Sequence, residues 1–105
     1  MKYIYVIGTE NQIKIGFSKC PEKRLKQLQT GNMHKLSLYY KEEMQDSKIQ
    51  IIEQLIHRDL KHKKSCGEWF NISPQDGINI VKFAKIRYDS DDELEFYYKQ
   101  KLRII

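Results

Sequence analysis

The sequence predicts an α/β chain of the α+β kind, a small three-stranded antiparallel sheet flanked by helices. Two short runs, Tyr3-Ile4-Tyr5-Val6-Ile7 and Ile13-Lys14-Ile15-Gly16-Phe17, are rich in β-branched and aromatic residues and flank the turn-like Gly8-Thr9-Glu10-Asn11, which is the pattern of a hairpin. In a third run, Leu36, Leu38 and Tyr40 alternate with Ser37, Tyr39 and Lys41, the period of a strand. Between and after these runs, apolar residues recur at helical spacing. With 105 residues, 40% hydrophobic and 31% charged, the chain is expected to form one domain over residues 1–105.

The hairpin sorts its residues onto two faces. If position 7 pairs with 12, then 5 faces 14 and 3 faces 16, because paired positions keep a constant sum. Ile4, Val6, Ile13, Ile15 and Phe17 then share a buried side. Tyr3, Tyr5, Lys14 and Gly16 share the other, with Ile7 and Gln12 near the turn. A phenol and an ammonium beside a glycine suit the handling of a phosphate; the plain alternative is a solvated sheet face.

A short helix follows over about 20–30. Pro21 suits its first turn, Ser18 or Cys20 stands in capping position, Leu25 and Leu28 form an apolar pair, and Gly31 is the stop. After the third strand, Ser47 is expected to cap the longest helical pattern, which runs to about His62 with Ile49, Ile52, Ile56 and Leu60 on one stripe. Glu53 and His57 lie four apart on that helix and therefore one above the other, as a functional pair or an ordinary surface pair. Lys61-His62-Lys63-Lys64-Ser65 is a basic loop, and Gly67 to Ile72 a turn into an extended segment whose aromatics cap the core. A helix from about Pro74 to Arg87 carries Ile78, Val81 and Ala84, with Ile80 and Phe83 broadening its stripe. A closing helix from about Asp91 to Arg103 has acids near its start and Lys99, Lys101 and Arg103 near its end, in keeping with the helix dipole. Phe96, Tyr97 and Tyr98 leave open a homodimer surface.

Charge and cysteine content narrow the classes. The net charge is +5, and residues 1–68 hold 13 Lys/Arg against 8 Asp/Glu while the remainder balances, so the basic surplus lies with the hairpin and favours a nucleic-acid partner. Cys20 and Cys66 have neither CxxC spacing nor the density of a disulfide scaffold, so two free thiols are expected. No stretch approaches the roughly 20 apolar residues of a membrane span, and the apolar run after Lys2 breaks at Gly8, unlike a signal peptide. A cytoplasmic location follows as an expectation.

These residues resemble the GIY-YIG endonuclease superfamily. Tyr3-Ile4-Tyr5 stands where its first tripeptide would be and Lys14-Ile15-Gly16 where its second would be. Pro21-Glu22-Lys23-Arg24-Leu25 is similar to its arginine segment, and Glu53-Gln54-Leu55-Ile56 to its glutamate helix. Leu28-Gln29-Thr30-Gly31-Asn32, Ile56-His57 and Gly67-Glu68-Trp69-Phe70 resemble a compact phage and bacterial branch in which lysine commonly replaces the second tyrosine. The resemblance spans about Tyr3 to Asn71, so residues 1–72 would be a nuclease core and 73–105 a helical cover.

The resemblance implies hydrolysis of a DNA phosphodiester with one Mg²⁺ or Mn²⁺ per site, each site nicking one strand. Tyr5 would orient or deprotonate the attacking water, helped by Lys14, since a free phenol ionises only near pH ~10. Arg24 would fork onto the phosphate, Glu53 would hold the metal, and His57 would act near the leaving group. Gly16 would let the DNA backbone approach, and Lys61, Lys63 and Lys64 would grip phosphates. Glu68 is a possible second acid, and Asn71 matches an asparagine that follows the family's glutamate helix. Tyr3 in place of glycine and Lys14 in place of tyrosine depart from the pattern. The second departure also fits a catalytically silent nucleic-acid-binding module. A protein-interaction domain is a third reading.

Overall fold

The computed structural model describes residues 1–91, so the expected closing helix and its Phe96, Tyr97 and Tyr98 surface lie outside the described residues. The elements run β1 (Lys2–Gly8), β2 (Ile13–Ser18), α1 (Pro21–Gln29), β3 (Ser37–Met44), α2 (Ile49–Asp59), a 3-10 turn (Lys61–Lys63), β4 (Trp69–Phe70) and α3 (Pro74–Tyr88). The α+β class stands. The sheet is antiparallel in the order β3-β1-β2-β4, so it has four strands, the fourth formed by the extended segment at Trp69.

The hairpin register differs from the expected one by two residues: Tyr5 faces Gly16, Ile7 faces Lys14 and Tyr3 faces Ser18. The cause lies in the turn. The Thr9 amide bonds the Gln12 carbonyl at 2.8 Å, and the Thr9 hydroxyl accepts the amides of Asn11 and Gln12, so the loop is 9–12 and Gly8 stays in the strand opposite Ile13. A shift of two keeps every side chain on its expected face, since sides alternate with a period of two. What changes is the cross-strand neighbour: Tyr5 is not opposite Lys14.

Both faces of the sheet are covered. Ile4, Val6, Ile13 and Ile15 pack with Ile49, Ile52, Leu55 and Ile56 of α2 and Val81 and Ala84 of α3, and Phe70 completes this core. Gly77 lets α3 settle against Ile13, whose methyl occupies the place of a side chain there. Tyr5 and Ile7 are not on a solvated face. They are buried with Leu36 under Leu25 and Leu28 of α1, beside Leu38 and Trp69.

β3 departs from simple alternation. Ile7 pairs with Leu38 but Val6 with Tyr40, leaving Tyr39 as the extra residue of a bulge. Leu38 therefore packs with Ile7 on the α1 side while Tyr39 and Tyr40 pack on the other core.

The start of α2 differs from the expectation, while α3 starts at Pro74 as expected. Lys48, not Ser47, precedes α2, and an ammonium has no acceptor with which to cap a helix amide; Lys48 is instead buried, with Nζ bonded to the Asp89 carbonyl at 2.8 Å. At α3, Ser73 caps by accepting the Asp76 amide at 3.1 Å. Phe83 does not broaden the buried stripe of α3; it is 61% exposed, as its position two residues after Val81 dictates on a helix.

Candidate active site

β4 is only two residues long, and it pairs with β2 only at Ile13 and Lys14. Backbone groups of alternate residues point to the same side of a strand, so beyond β4 the Ile15 carbonyl and the Phe17 amide face outward without a strand partner. Helix α2 supplies the partners. His57 Nε2 lies 2.6 Å from the Ile15 carbonyl, which can only accept, so Nε2 carries the proton. Glu53, one helical turn earlier, takes the Phe17 N–H on its carboxylate. The i, i+4 pair that the sequence places on one helix face thus finishes the open edge of β2, with the His57 ring set edge-on against Phe70 at 5.2 Å.

Gly16 lies between those two backbone contacts, and Tyr5 is its cross-strand partner. A Cβ at position 16 would meet the Tyr5 phenol, with Cζ only 2.7 Å away. The room above Gly16 is therefore filled by the end of the Tyr5 phenol, hydroxyl first. Tyr5 is 2% exposed. For Gly16 this replaces the expected reason, open space for a DNA backbone, with accommodation of the phenol.

Lys14 reaches the same edge from the α1 side. Its Nζ is 2.7 Å from Glu68 Oε2, and the side chains are 11% and 62% exposed, so a nearly buried ammonium holds an accessible carboxylate. Trp69 is the cross-strand neighbour of Lys14, with the ammonium 6.0 Å from its ring. The expected Tyr5–Lys14 pair across the hairpin is thereby replaced by Lys14 with Glu68, a consequence of the two-residue register change. The Lys14 hydrogen bond and charge hold Glu68 below the usual carboxylate range, with His57 and Lys64 adding to the effect.

Glu53 is perturbed in the opposite direction. Burial pushes its carboxyl up; the His57 imidazole, the Phe17 amide and Lys14 pull it down, while Glu68 adds to the rise, and the balance leaves it above the ordinary value. Lys14, Glu53, His57 and Glu68 thus feel one another around a single strand edge.

Arg24 is half-buried on the stripe of α1 that also carries Pro21, Leu25 and Leu28, with Nη1 bonded to Gln27 Oε1 at 3.3 Å. This sets it on the Tyr5 side of the sheet. Lys61, Lys63 and Lys64 are exposed, and the Lys64 backbone bridges to Phe70 beside β4. Asn71 is not at this edge: its Oδ1 accepts from Gln12 at 2.8 Å near the hairpin turn.

Among the described residues no three His, Cys, Asp or Glu side chains form a metal cage. The oxygen donors available, Glu53 with Glu68 nearby, suit an ion such as Mg²⁺ that keeps most of its waters and takes one or two carboxylates.

A family model for the T5orf172 domain matches residues 2–85, a span that contains every side chain described above. The chain belongs to the T5orf172 domain family. This domain is found in phage and bacterial nuclease-like proteins and is associated with nuclease-type and DNA-binding function. No curated protein and no solved structure matches the chain. Among the described residues, no helix of this T5orf172 domain is long and apolar enough to cross a membrane.

Sequence reasoning missed Trp69 as the neighbour of Lys14 and missed the backbone of Ile15 and Phe17 as what Glu53 and His57 hold. For the first, the turn at Gly67 into an extended segment is read from the sequence, but its pairing with β2 is not. The second needed the length of β4, which the sequence does not mark.

Proposed function

We propose that this T5orf172 domain is a GIY-YIG-type, metal-dependent DNA endonuclease that hydrolyses one phosphodiester per site and so nicks one strand. The observation that carries this reading is the stretch of β2 around Gly16: the Tyr5 hydroxyl lies against Gly16 itself, and Glu53, His57 and Lys14 border the residues on either side of it. A divalent ion held by Glu53, when bound, supplies positive charge for the phosphate oxygens and the leaving group.

The chain's own residues do the rest. Tyr5, fixed by its seat on Gly16, orients the attacking water or takes its proton. Lys14 exchanges Glu68 for a phosphate oxygen; the two acceptors are alike in charge, so the exchange does not strand a buried ammonium. Arg24 forks onto the same phosphate and neutralises charge that grows in the transition state. His57 has Nε2–H committed to the Ile15 carbonyl, so only the imidazolium form, with a second proton on Nδ1, can give a proton to the leaving oxygen. Lys61, Lys63 and Lys64 provide a basic rim for the flanking phosphates. Two cuts in a duplex then require two visits or a homodimer.

The test is nicking of supercoiled plasmid with Mg²⁺ or Mn²⁺ by the native protein beside Glu53→Gln and Arg24→Ala. Open-circle product from the native chain and none from the variants is expected. Equal nicking by all three would overturn the reading, and salt-dependent binding without cleavage would instead select a silent nucleic-acid-binding module.

A further inference from the structure

Beside the catalytic edge, between the hairpin turn and β4, is a cavity of about 500 Å³ that hydrolysis does not use, within the range of small-ligand sites. Leu36 and Trp69 give it apolar surface, while Asn11, Gln12, Asn32 and Asn71 line it with amides. We propose that this cavity receives one nucleobase, unstacked from the strand whose phosphate lies at Lys14; the proposal rests on the nuclease reading and adds base recognition to it.

Three observations converge on a base. The first is a held pair of amides. Gln12 Nε2 donates to Ser65 Oγ at 3.1 Å and to Asn71 Oδ1 at 2.8 Å, which fixes both side chains. Gln12 Oε1 and Asn71 Nδ2 are left over, an acceptor and a donor with no partner among the described residues. Adenine and cytosine each present a donor next to an acceptor on one edge, the complement of such a pair. The second is Trp69, a half-buried ring on which a flat heterocycle stacks irrespective of its sequence identity.

The third is position. The Lys14 ammonium is 6.0 Å from the Trp69 ring, which also lines the cavity, so one aromatic side chain joins the phosphate-gripping group to the base site. Ser65 and Cys66 on the cavity wall follow directly in the chain from the exposed Lys61–Lys64 run. An apolar ligand would leave the amides unpaired, and a bare phosphate would gain nothing from Leu36 and Trp69. A base linked to a phosphate uses both.

Trp69 is the only tryptophan of the chain, so its fluorescence reports on the cavity. The full chain, with EDTA present to prevent cleavage, is titrated with a short single-stranded oligonucleotide, with an abasic oligonucleotide of equal length and charge, and with adenosine monophosphate. The base-bearing strand is expected to quench Trp69 and to bind about tenfold tighter than the abasic one, and Gln12→Ala to lose most of that increment. Equal affinity for the two strands would overturn the base site while leaving the nuclease reading in place. Failure of both strands to bind would overturn the nucleic-acid reading and the base site with it. Saturation by adenosine monophosphate at the same concentration as the strand would reassign the cavity to a free nucleotide and overturn its link to the DNA.

Discussion

Among the described residues, Asp89 beside the start of α2 and Glu53 on α2 itself are carboxylates withdrawn from water, and their surroundings resolve the same cost in opposite ways. Asp89, 8% exposed, accepts the Gln45 amide and Lys85 Nζ, each at 2.8 Å, while its carbonyl takes Lys48 Nζ. Burial alone would raise its pKa, but Lys85, the Gln45 amide and Lys48 together hold it below the ordinary value. Glu53 is likewise desolvated, yet is drawn down only by the His57 imidazole, the Phe17 amide and Lys14, with Glu68 opposing, and it ends above the ordinary value. One acid closes a structural joint between α3, β3 and the start of α2. The other is left short of positive charge beside a second carboxylate, the condition a divalent cation relieves.

The comparison is broken most severely if Glu53→Gln cuts DNA. The account expects nicking to fall about 10²- to 10³-fold, the cost of losing a main electrostatic contact, in a plasmid assay. The amide oxygen still accepts the Phe17 N–H, so folding is retained. Because the folded pKa of Glu53 is raised, the stability tied to its protonated form is complete below its unfolded pKa and is lost as pH rises through the folded one. Urea melts should therefore find Glu53→Gln at least as stable as the native chain at neutral pH, with the two converging in acid.

Asp89→Ala should show the reverse pattern, a loss of about 1–3 kcal/mol in urea melts with nicking per folded molecule unchanged, since it leaves the Gln45 amide without its acceptor and Lys85 with only the Glu43 carbonyl. Asp89 has a lowered folded pKa, so its contribution is present above its unfolded pKa and disappears as pH falls through the folded one. Acid melts of the native protein and Asp89→Ala should accordingly converge as the pH is lowered.

Gly16→Ala sharpens the same contrast inside the site. It places a methyl against the Tyr5 phenol and is expected to cost about 1–3 kcal/mol, recovered in part by Tyr5→Leu in the same chain, as a double-mutant cycle of unfolding free energies would record. The smallest effect is expected for Glu68→Gln. Removing the competing carboxylate frees Lys14 for phosphate and should tighten DNA binding a few-fold, more at low salt than at high.

Much of this architecture was legible in the chain because its signals are local. The hydrophobic faces of β1 and β2, the Pro21 start of α1 and the Ile49, Ile52, Ile56 and Leu60 stripe all follow from period and punctuation, and each is found. What was hidden depends on one hydroxyl or one extra residue. The Thr9 side chain moves the turn and exchanges the neighbours of Tyr5 and Lys14; Tyr39 forms a bulge that alternation cannot foresee. For the site, residue types and order placed Glu53 and His57 on one face of α2. The partner of each was invisible, because both hold backbone atoms of a strand edge that is open only where β4 ends.

If Glu53 holds a cation, as proposed, it responds to one, whereas Asp89, already met by Lys85, Lys48 and the Gln45 amide, does not. Side-chain carboxyl NMR, titrated over pH with and without Mg²⁺, measures this on both acids in one sample. The account predicts that Glu53 titrates above the glutamate value of about 4.3 and shifts downward on adding Mg²⁺, while Asp89 titrates below about 3.9 and ignores the metal. A Glu53 that titrates at or below its ordinary value and does not respond to Mg²⁺ would contradict it.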